Sequence, residues 1–317
     1  MAERTTVRVV RGLAELMERP AGCAATIGNF DGVHLGHQRI LGRARAEADR
    51  LGSAVVAMTF EPPPARLLAP EKAPEPLMHL EQRCAALGVA GADIVLVIRT
   101  TRELLNMTPE TFIRQVLIER LGPSAVVEGD NFFFGHNRAG NVDTLRAFGA
   151  ELGFAVHVVE PVLIELEGRT RISSSLIRQL VRQGRLEDAA RGLGRPYTMR
   201  GRVVPGRGEG RRMSYPTINL DCGQQLLPAD GVYAGTAVLP GDRQYPAALS
   251  VGTRPTFGPL ARAVEAHLLD YQDGSLYGAV VDVRFLHHLR TQRRFPSAEA
   301  LRLQMDQDVR HVRELVK

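Results

Sequence analysis

Along the first half of the chain, short apolar runs alternate with longer stretches in which apolar residues recur every three to four positions. The runs predict strands and the recurring stretches predict helices. Strands are expected at 23–27, 54–60, 94–98, 125–128 and 155–159, and helices at 38–51, 110–121 and 142–152. Strands joined by helical crossovers imply a doubly wound parallel sheet, which takes its ligands at the carboxyl ends of the strands. Residues 61–76 are rich in proline and predict a loop.

Past Arg185 the pattern changes. One helical piece at 186–193 leads into short β segments punctuated by Gly and Pro, at 200–204, 231–238, 247–251, 264–269 and 279–285, with a helix from 298 to 316. That spacing predicts a small β-barrel followed by a terminal helix. Two domains are therefore expected, 1–185 and 186–317, which suits a length of 317 residues.

Composition narrows the class. Apolar residues make up 44% and charged residues 24%, the balance of a globular protein rather than a disordered one. No stretch approaches the ~18 uninterrupted apolar residues of a membrane helix, and residues 1–20 carry charges where a signal peptide needs an apolar core, so a cytoplasmic protein is expected. The net charge of +5 comes almost wholly from Arg, since Lys occurs only at positions 72 and 317. With no Trp and no dense basic run, nucleic-acid binding has little support. Cys23, Cys84 and Cys222 are odd in number and widely spaced, which indicates neither a disulfide framework nor a structural zinc site.

The first candidate chemistry is Gly28-Asn29-Phe30-Asp31-Gly32-Val33-His34-Leu35-Gly36-His37, between the first predicted strand and a helix. Glycines let backbone approach a phosphate chain, and the helix start offers N–H groups and a positive dipole end to an anion. His34 and His37 stand three apart, so in a helical turn both imidazoles face one way and can donate to a nucleotide's phosphates. A surface His pair in a plain turn is the simpler alternative. Zinc would need further ligands that the spacing does not supply. A second run, Arg171-Ile172-Ser173-Ser174-Ser175-Leu176-Ile177-Arg178, comes after the last predicted strand. Ser173 or Ser174 can cap a helix there, with Arg178 four residues past Ser174. In isolation an ordinary capped helix with a surface Arg is the better explanation.

Together the two runs resemble the HxGH and ISSTxxR signatures of the nucleotidyltransferase superfamily. The form of 28–37 looks like the FMN adenylyltransferase half of the bacterial bifunctional riboflavin kinase/FAD synthetases. Gly129-Asp130-Asn131-Phe132-Phe133-Phe134-Gly135, with Gly140 and Asp143 beyond, resembles that family's flavin and adenine loop, and Thr59-Phe60-Glu61-Pro62 its second-strand exit. The resemblance implies a Rossmann-like α/β domain in which FMN and ATP give FAD and pyrophosphate. It assigns His34, His37, Ser174 and Arg178 to catalysis. It assigns Gly28, Phe30, Asp31, Gly36, Arg171, Ser173 and Ser175 to ATP and its phosphates, and Phe60 and Asn131 to the flavin.

A second constellation lies past residue 200. Gly206, Gly208 and Gly210 form a glycine loop, with Pro216-Thr217-Ile218-Asn219 after it. Such loops bind anions, and a Thr hydroxyl and an Asn amide are hard oxygen ligands suited to Mg²⁺. A glycine-rich β-turn remains the alternative on these residues alone. Pro216 to Asn219 resembles the PTAN motif of riboflavin kinases, and Val264-Glu265-Ala266-His267 continues the likeness. The resemblance implies that Thr217 and Asn219 hold the metal, that the three glycines meet ATP, and that Glu265 takes the proton of the ribityl hydroxyl. ATP, riboflavin, FMN and FAD are then the small-molecule partners, with no membrane and no nucleic acid, and a homo-oligomer stays open. Departures concentrate in this half: Glu209, Ser214, Ile218 and Arg254 stand where the family usually has Arg, Gly, Ala and Asn. They motivate the alternative of a paralogue whose kinase barrel is degenerate, or which takes a different flavin-like substrate.

Overall fold

The structure is a computed structural model that describes residues 7–16, 18–20, 22–206, 216–253 and 262–316. The chain divides into two compact units, one of Met1–Pro74 with Leu80–Ile172, the other of Glu75–His79 with Ser173–Lys317.

In the first unit, strands β1 (Arg8–Arg11), β2 (Ala24–Ile27), β3 (Val55–Glu61), β4 (Ile94–Arg99), β5 (Ala125–Gly129) and β8 (Ala155–Val159) form one sheet in the order β1-β4-β3-β2-β5-β8. Every pairing is parallel. The central strands are continuous apolar runs because both faces are covered, and all four residues of β2 are buried. Helix α1 (Leu35–Leu51) buries Leu41, Ala44 and Ala48 on one face and ends at Gly52, a left-handed cap. The expected doubly wound α/β domain is what the chain forms.

This unit differs from the expected elements in three places. The proline-rich stretch contains a short helix, α2 (Pro64–Leu68), with Pro64 at its first turn where a missing N–H costs nothing. Helix α3 (Leu80–Val89) and strand β1 add to the expected elements; β1 is four residues long and mostly exposed, too little for a pattern to show. The helix expected over 110–121 exists, beginning as α5 (Pro109–Thr111) after the four-residue α4 (Arg102–Leu105) and widening into a π-helix over Phe112–Leu121. Beyond it come a small hairpin of β6 (Phe133–Phe134) and β7 (Gly140–Asn141), helix α6 (Val142–Leu152), and a second hairpin of β9 (Leu163–Glu165) and β10 (Arg169–Arg171).

The second unit opens with α7 (Ser174–Arg182) and α8 (Leu186–Leu193). Strands β11 (Tyr197–Val204), β12 (Thr217–Asp221), β13 (Gly231–Leu239), β14 (Arg243–Thr253), β15 (Arg262–Leu268) and β16 (Val280–Arg290) then close a barrel in the order β11-β12-β15-β14-β13-β16. Strand β12 completes the ring that five predicted segments left open. Its core holds Tyr197, Tyr233 and Phe285, fully buried, with each phenol donating to a backbone carbonyl, Leu226 and Ala229 respectively. Buried Gln225 stitches the segment 75–79 to the barrel by donating to Leu77 O (2.9 Å) and Thr198 O (2.8 Å) while accepting from Arg200 N. The terminal helix α9 (Ala298–Leu315) is anchored by Asp308, whose buried carboxylate receives Arg290 through both oxygens at 2.7–3.1 Å. The sequence places the change of character near 185, whereas the contacts divide the chain after Ile172, because α7 packs with α8.

Candidate functional site

The sheet order reverses at β2: the chain proceeds from β2 to β3 and β4 on one side, and from β5 to β8 on the other. Loops after β2 and β5 therefore leave the sheet in different directions and open a crevice at the carboxyl ends of these two strands. The two strands pair only at Ala24–Ala125 and Ala25–Val126. Past that point the buried side chain of Glu128 replaces the ladder, accepting Ile27 N–H at 2.6 Å and the Thr26 hydroxyl at 3.4 Å. Complete burial pushes the Glu128 carboxyl well above the usual carboxylate range, against the lowering effect of those two donors.

The loop after β2 carries the histidine motif. Phe30 (φ 48°) and Val33 (φ 38°) adopt left-handed backbone although neither is glycine, a strain of about 1–3 kcal/mol each that the surrounding packing must hold. Both side chains are buried, as are Asp31 and His34. His34 is the N-cap of α1, so the helix starts inside the motif rather than at the expected residue 38. The His34 and His37 rings stack with centroids 3.7 Å apart and 19° between planes, and Phe30 meets His37 edge-on at 5.2 Å. This is the common facing that a helical turn with three-residue spacing predicts. Gly36 leaves the room for it: a Cβ there would stand 3.1 Å from the His34 ring. A Cβ on Gly28 would likewise meet the Phe30 ring at 3.1 Å.

Phe60, half-buried at the end of β3, packs against the sheet core. Asn131 is exposed in the turn after β5, beside Gly129. Arg171 binds both carboxylate oxygens of Asp130 in that same turn, so the candidate phosphate ligand is already held by an acidic partner. Sequence reasoning missed Glu128 and also Arg83 on α3, which is 3% exposed and donates to the Asn29 and Phe60 carbonyls and to Glu61. The available signal was the apolar face of α3, whose buried positions include charged Arg83.

In the second unit, Ser173 caps α7 by accepting Leu176 N–H at 3.2 Å. Ser174 and Arg178 lie one helical turn apart, and Ser175 is exposed. Arg178 donates from Nε to Glu75 O at 2.9 Å, and Arg182 reaches the Glu75 carboxylate at 3.0 Å.

The barrel brings the kinase candidates into one row. Asn219 of β12 stands directly opposite Glu265 of β15, which stands opposite Ser250 of β14. Thr217 pairs with His267 two residues along, and the His267 ring meets Pro216 O at 2.9 Å. Strand alternation sets this half-buried row apart from the fully buried Val264, Ala266, Leu249 and Val251. Ile218 is opposite Ala266 and so faces away from Thr217 and Asn219, which removes that departure from the row. Gly206 packs against the Asn219 carboxamide so closely that a Cβ would stand 2.1 Å from its nitrogen. Gly208 and Gly210, with Glu209, Ser214 and Arg254, lie outside the described residues. Among the described residues no group of three or more His, Cys, Asp or Glu is arranged to hold a metal ion.

Residues 16–176 match the FAD synthetase family model, and residues 193–316 match the riboflavin kinase model. The chain belongs to the bifunctional riboflavin kinase/FMN adenylyltransferase family. It is 36% identical to the curated member of that name from Escherichia coli K12, covering 97% of each chain. It is 37% identical to the one from Pseudomonas fluorescens, covering 98% of each. A solved structure described as a macrolide-efflux protein from Streptococcus pneumoniae shares the fold, with a TM-score of 0.85 and 27% identity over 98% of this chain and 99% of that one. Among the described residues of this family member no helix is long and apolar enough to cross a membrane.

Proposed function

We propose that the chain makes FMN from riboflavin and ATP with its C-terminal half, and FAD from FMN and ATP with its N-terminal half. The observation that carries this reading is the match of one continuous chain to bifunctional relatives over 97–98% of both lengths. The two polar clusters supply chemistry of the right kind for each step.

In the adenylyl transfer an FMN phosphate oxygen attacks the α-phosphorus of ATP, and the bond to the β-phosphate breaks to release pyrophosphate. No protein nucleophile is needed, so positioning and charge stabilisation suffice. His34, His37, Ser174 and Arg178 are assigned to the leaving phosphates, as hydrogen-bond donors worth ~1.5–3 kcal/mol each when charge-assisted. The loop residues Gly28, Phe30, Asp31 and Gly36, with Arg171, Ser173 and Ser175, are assigned to ATP, and Phe60 and Asn131 to the flavin.

In the kinase step the ribityl hydroxyl attacks the γ-phosphorus of ATP while its proton passes to the Glu265 carboxylate, and the bond from the γ-phosphorus to the bridging oxygen of the β-phosphate breaks to release ADP. Thr217 and Asn219, hard oxygen donors two residues apart on one strand face, fit a small divalent cation. Mg²⁺ held by these two residues would supply counter-charge to the phosphates. Gly206, Gly208 and Gly210 are assigned to the phosphate chain. The register of Asn219 against Glu265, and the placing of Ile218 on the opposite strand face with buried Ala266, favour a working barrel over a degenerate one. We place the activity in the cytoplasm, a reducing compartment that suits three free, buried cysteines, with small molecules as partners.

The test is chromatography of two reactions with ATP and Mg²⁺, one begun from riboflavin and one from FMN. FAD from both is expected. FAD from FMN alone would mean the barrel has lost or changed its substrate, and no product from either would overturn the reading.

A further inference from the structure

We propose that Arg83 is a positioning residue for adenylyl transfer, acting through the backbone of the two-histidine loop. The proposal rests on the N-terminal half being an FMN adenylyltransferase.

Arg83 comes from α3, far from the motif in sequence, yet it is 3% exposed and its guanidinium joins three acceptors. Nη1 donates to Asn29 O at 3.3 Å, and Nη2 donates to Phe60 O at 3.1 Å and to Glu61 Oε2 at 2.6 Å. The Thr59 hydroxyl donates to the same Asn29 carbonyl at 3.3 Å. The exits of β2 and β3 are thus tied together at the residue where the chain leaves β2 for the loop.

The tie matters because of the backbone just beyond Asn29. Phe30, Gly32 and Val33 all have positive φ, and the stacked His34 and His37 come immediately after. A trans peptide is planar, so holding the Asn29 carbonyl toward Arg83 turns the Phe30 N–H the opposite way. The direction in which the loop starts, and with it the placing of both imidazoles, depends on that one peptide plane. Packing alone does not require a cation here, since a buried ion pair is often no more stabilising than apolar residues of similar volume. The planar fork of Arg, able to reach two carbonyls and a carboxylate at once, is the feature that packing does not explain.

The test uses Arg83→Met and Arg83→Lys in the full chain, assayed for FAD from FMN and, in the same preparation, for FMN from riboflavin. Misplacement of reacting groups by about 1 Å costs on the order of 10²-fold in rate. Arg83→Met is expected to lower kcat for FAD formation by about that factor, with KM for ATP changed much less. Arg83→Lys keeps the charge but cannot span three acceptors, and is expected to fall by about tenfold. Riboflavin phosphorylation should stay within about twofold in both, and Glu81→Gln, exposed on the same helix, should leave both rates as they are. Arg83→Lys with the native kcat overturns the proposal. So does parallel loss of both activities, which would mark Arg83 as a general fold residue; if Arg83→Met fails to fold, Arg83→Lys decides. A native chain that makes no FAD from FMN removes the functional reading and this inference together, whereas an active native chain with unaffected variants removes only the inference.

Discussion

Replacing Gly206 with Ala separates geometry from stability in the barrel. The added methyl would stand 2.1 Å from Asn219 Nδ2 and 2.7 Å from its Cγ, where ordinary contact begins near 3.4 Å. The carboxamide is the far end of a side chain, so it can swing aside and the fold survives. To do so it must retreat by more than 1 Å from its place on the strand face that it shares with Glu265, while the β12–β15 backbone pairing stays as it is. A displacement of that size at a metal-ligating or reacting group is worth about 10²-fold, or about 2.7 kcal/mol of transition-state stabilisation. Gly206→Ala is therefore expected to lower riboflavin phosphorylation by about two orders of magnitude. FAD formation from FMN should be unchanged, and thermal unfolding should shift by a few degrees at most. The assay is the pair of chromatographic reactions run with the variant. Native phosphorylation in Gly206→Ala would refute the reasoning, since it would mean that the Asn219 carboxamide can leave its place without consequence.

The same geometry sets other outcomes. His37→Ala should abolish FAD formation and spare FMN formation, and Glu265→Gln should do the reverse; equal loss of both activities in either variant would contradict two separate sites. Burial pushes the Cys23 and Cys222 thiols up to about 12, and Cys84 is raised by burial too, so iodoacetamide at pH 8 should modify none of the three until denaturant is added, as read by mass spectrometry. Glu128 has a folded pKa raised above its unfolded value of about 4.3. The folded state therefore binds the extra proton, and stability declines as pH rises from the ordinary carboxylate range toward the raised folded value. Glu128→Gln keeps an acceptor for Ile27 N–H and removes that decline, so urea unfolding of the variant should gain on the native chain as pH is raised from 4 to 8; an unchanged difference would show that folding does not raise the Glu128 pKa.

Much of the fold was legible because each half repeats a simple pattern. The central strands of the first unit are buried on both faces and read as unbroken apolar runs, so β2, β3, β4 and β5 stand where the runs do. Edge strand β1 and strand β12 escaped notice, the first because it is short and mostly exposed, the second because Thr217 and Asn219 interrupt any apolar run. The start of α1 at Leu35 was missed by three residues, since Leu35-Gly36-His37 carries no helical periodicity of its own.

The histidine and serine motifs, the glycine loop and the Thr217–Asn219 pair were visible as patterns because each sets particular side chains at short, fixed spacings. On those residues alone a plain turn or a capped helix stayed open, and it was their resemblance to the family's signatures that implied two transfer reactions on ATP. What only the tertiary structure decided is what lies across strands and between distant segments: Asn219 facing Glu265, Ile218 turned away from both, Glu128 filling the gap where β2 and β5 part, and Arg83 gripping the Asn29 carbonyl from another helix. Local spacing encodes which groups share a helical turn or a strand face. Register between strands and the reach of a buried side chain depend on how the whole sheet or barrel closes, and that is written nowhere in the sequence as a neighbouring residue.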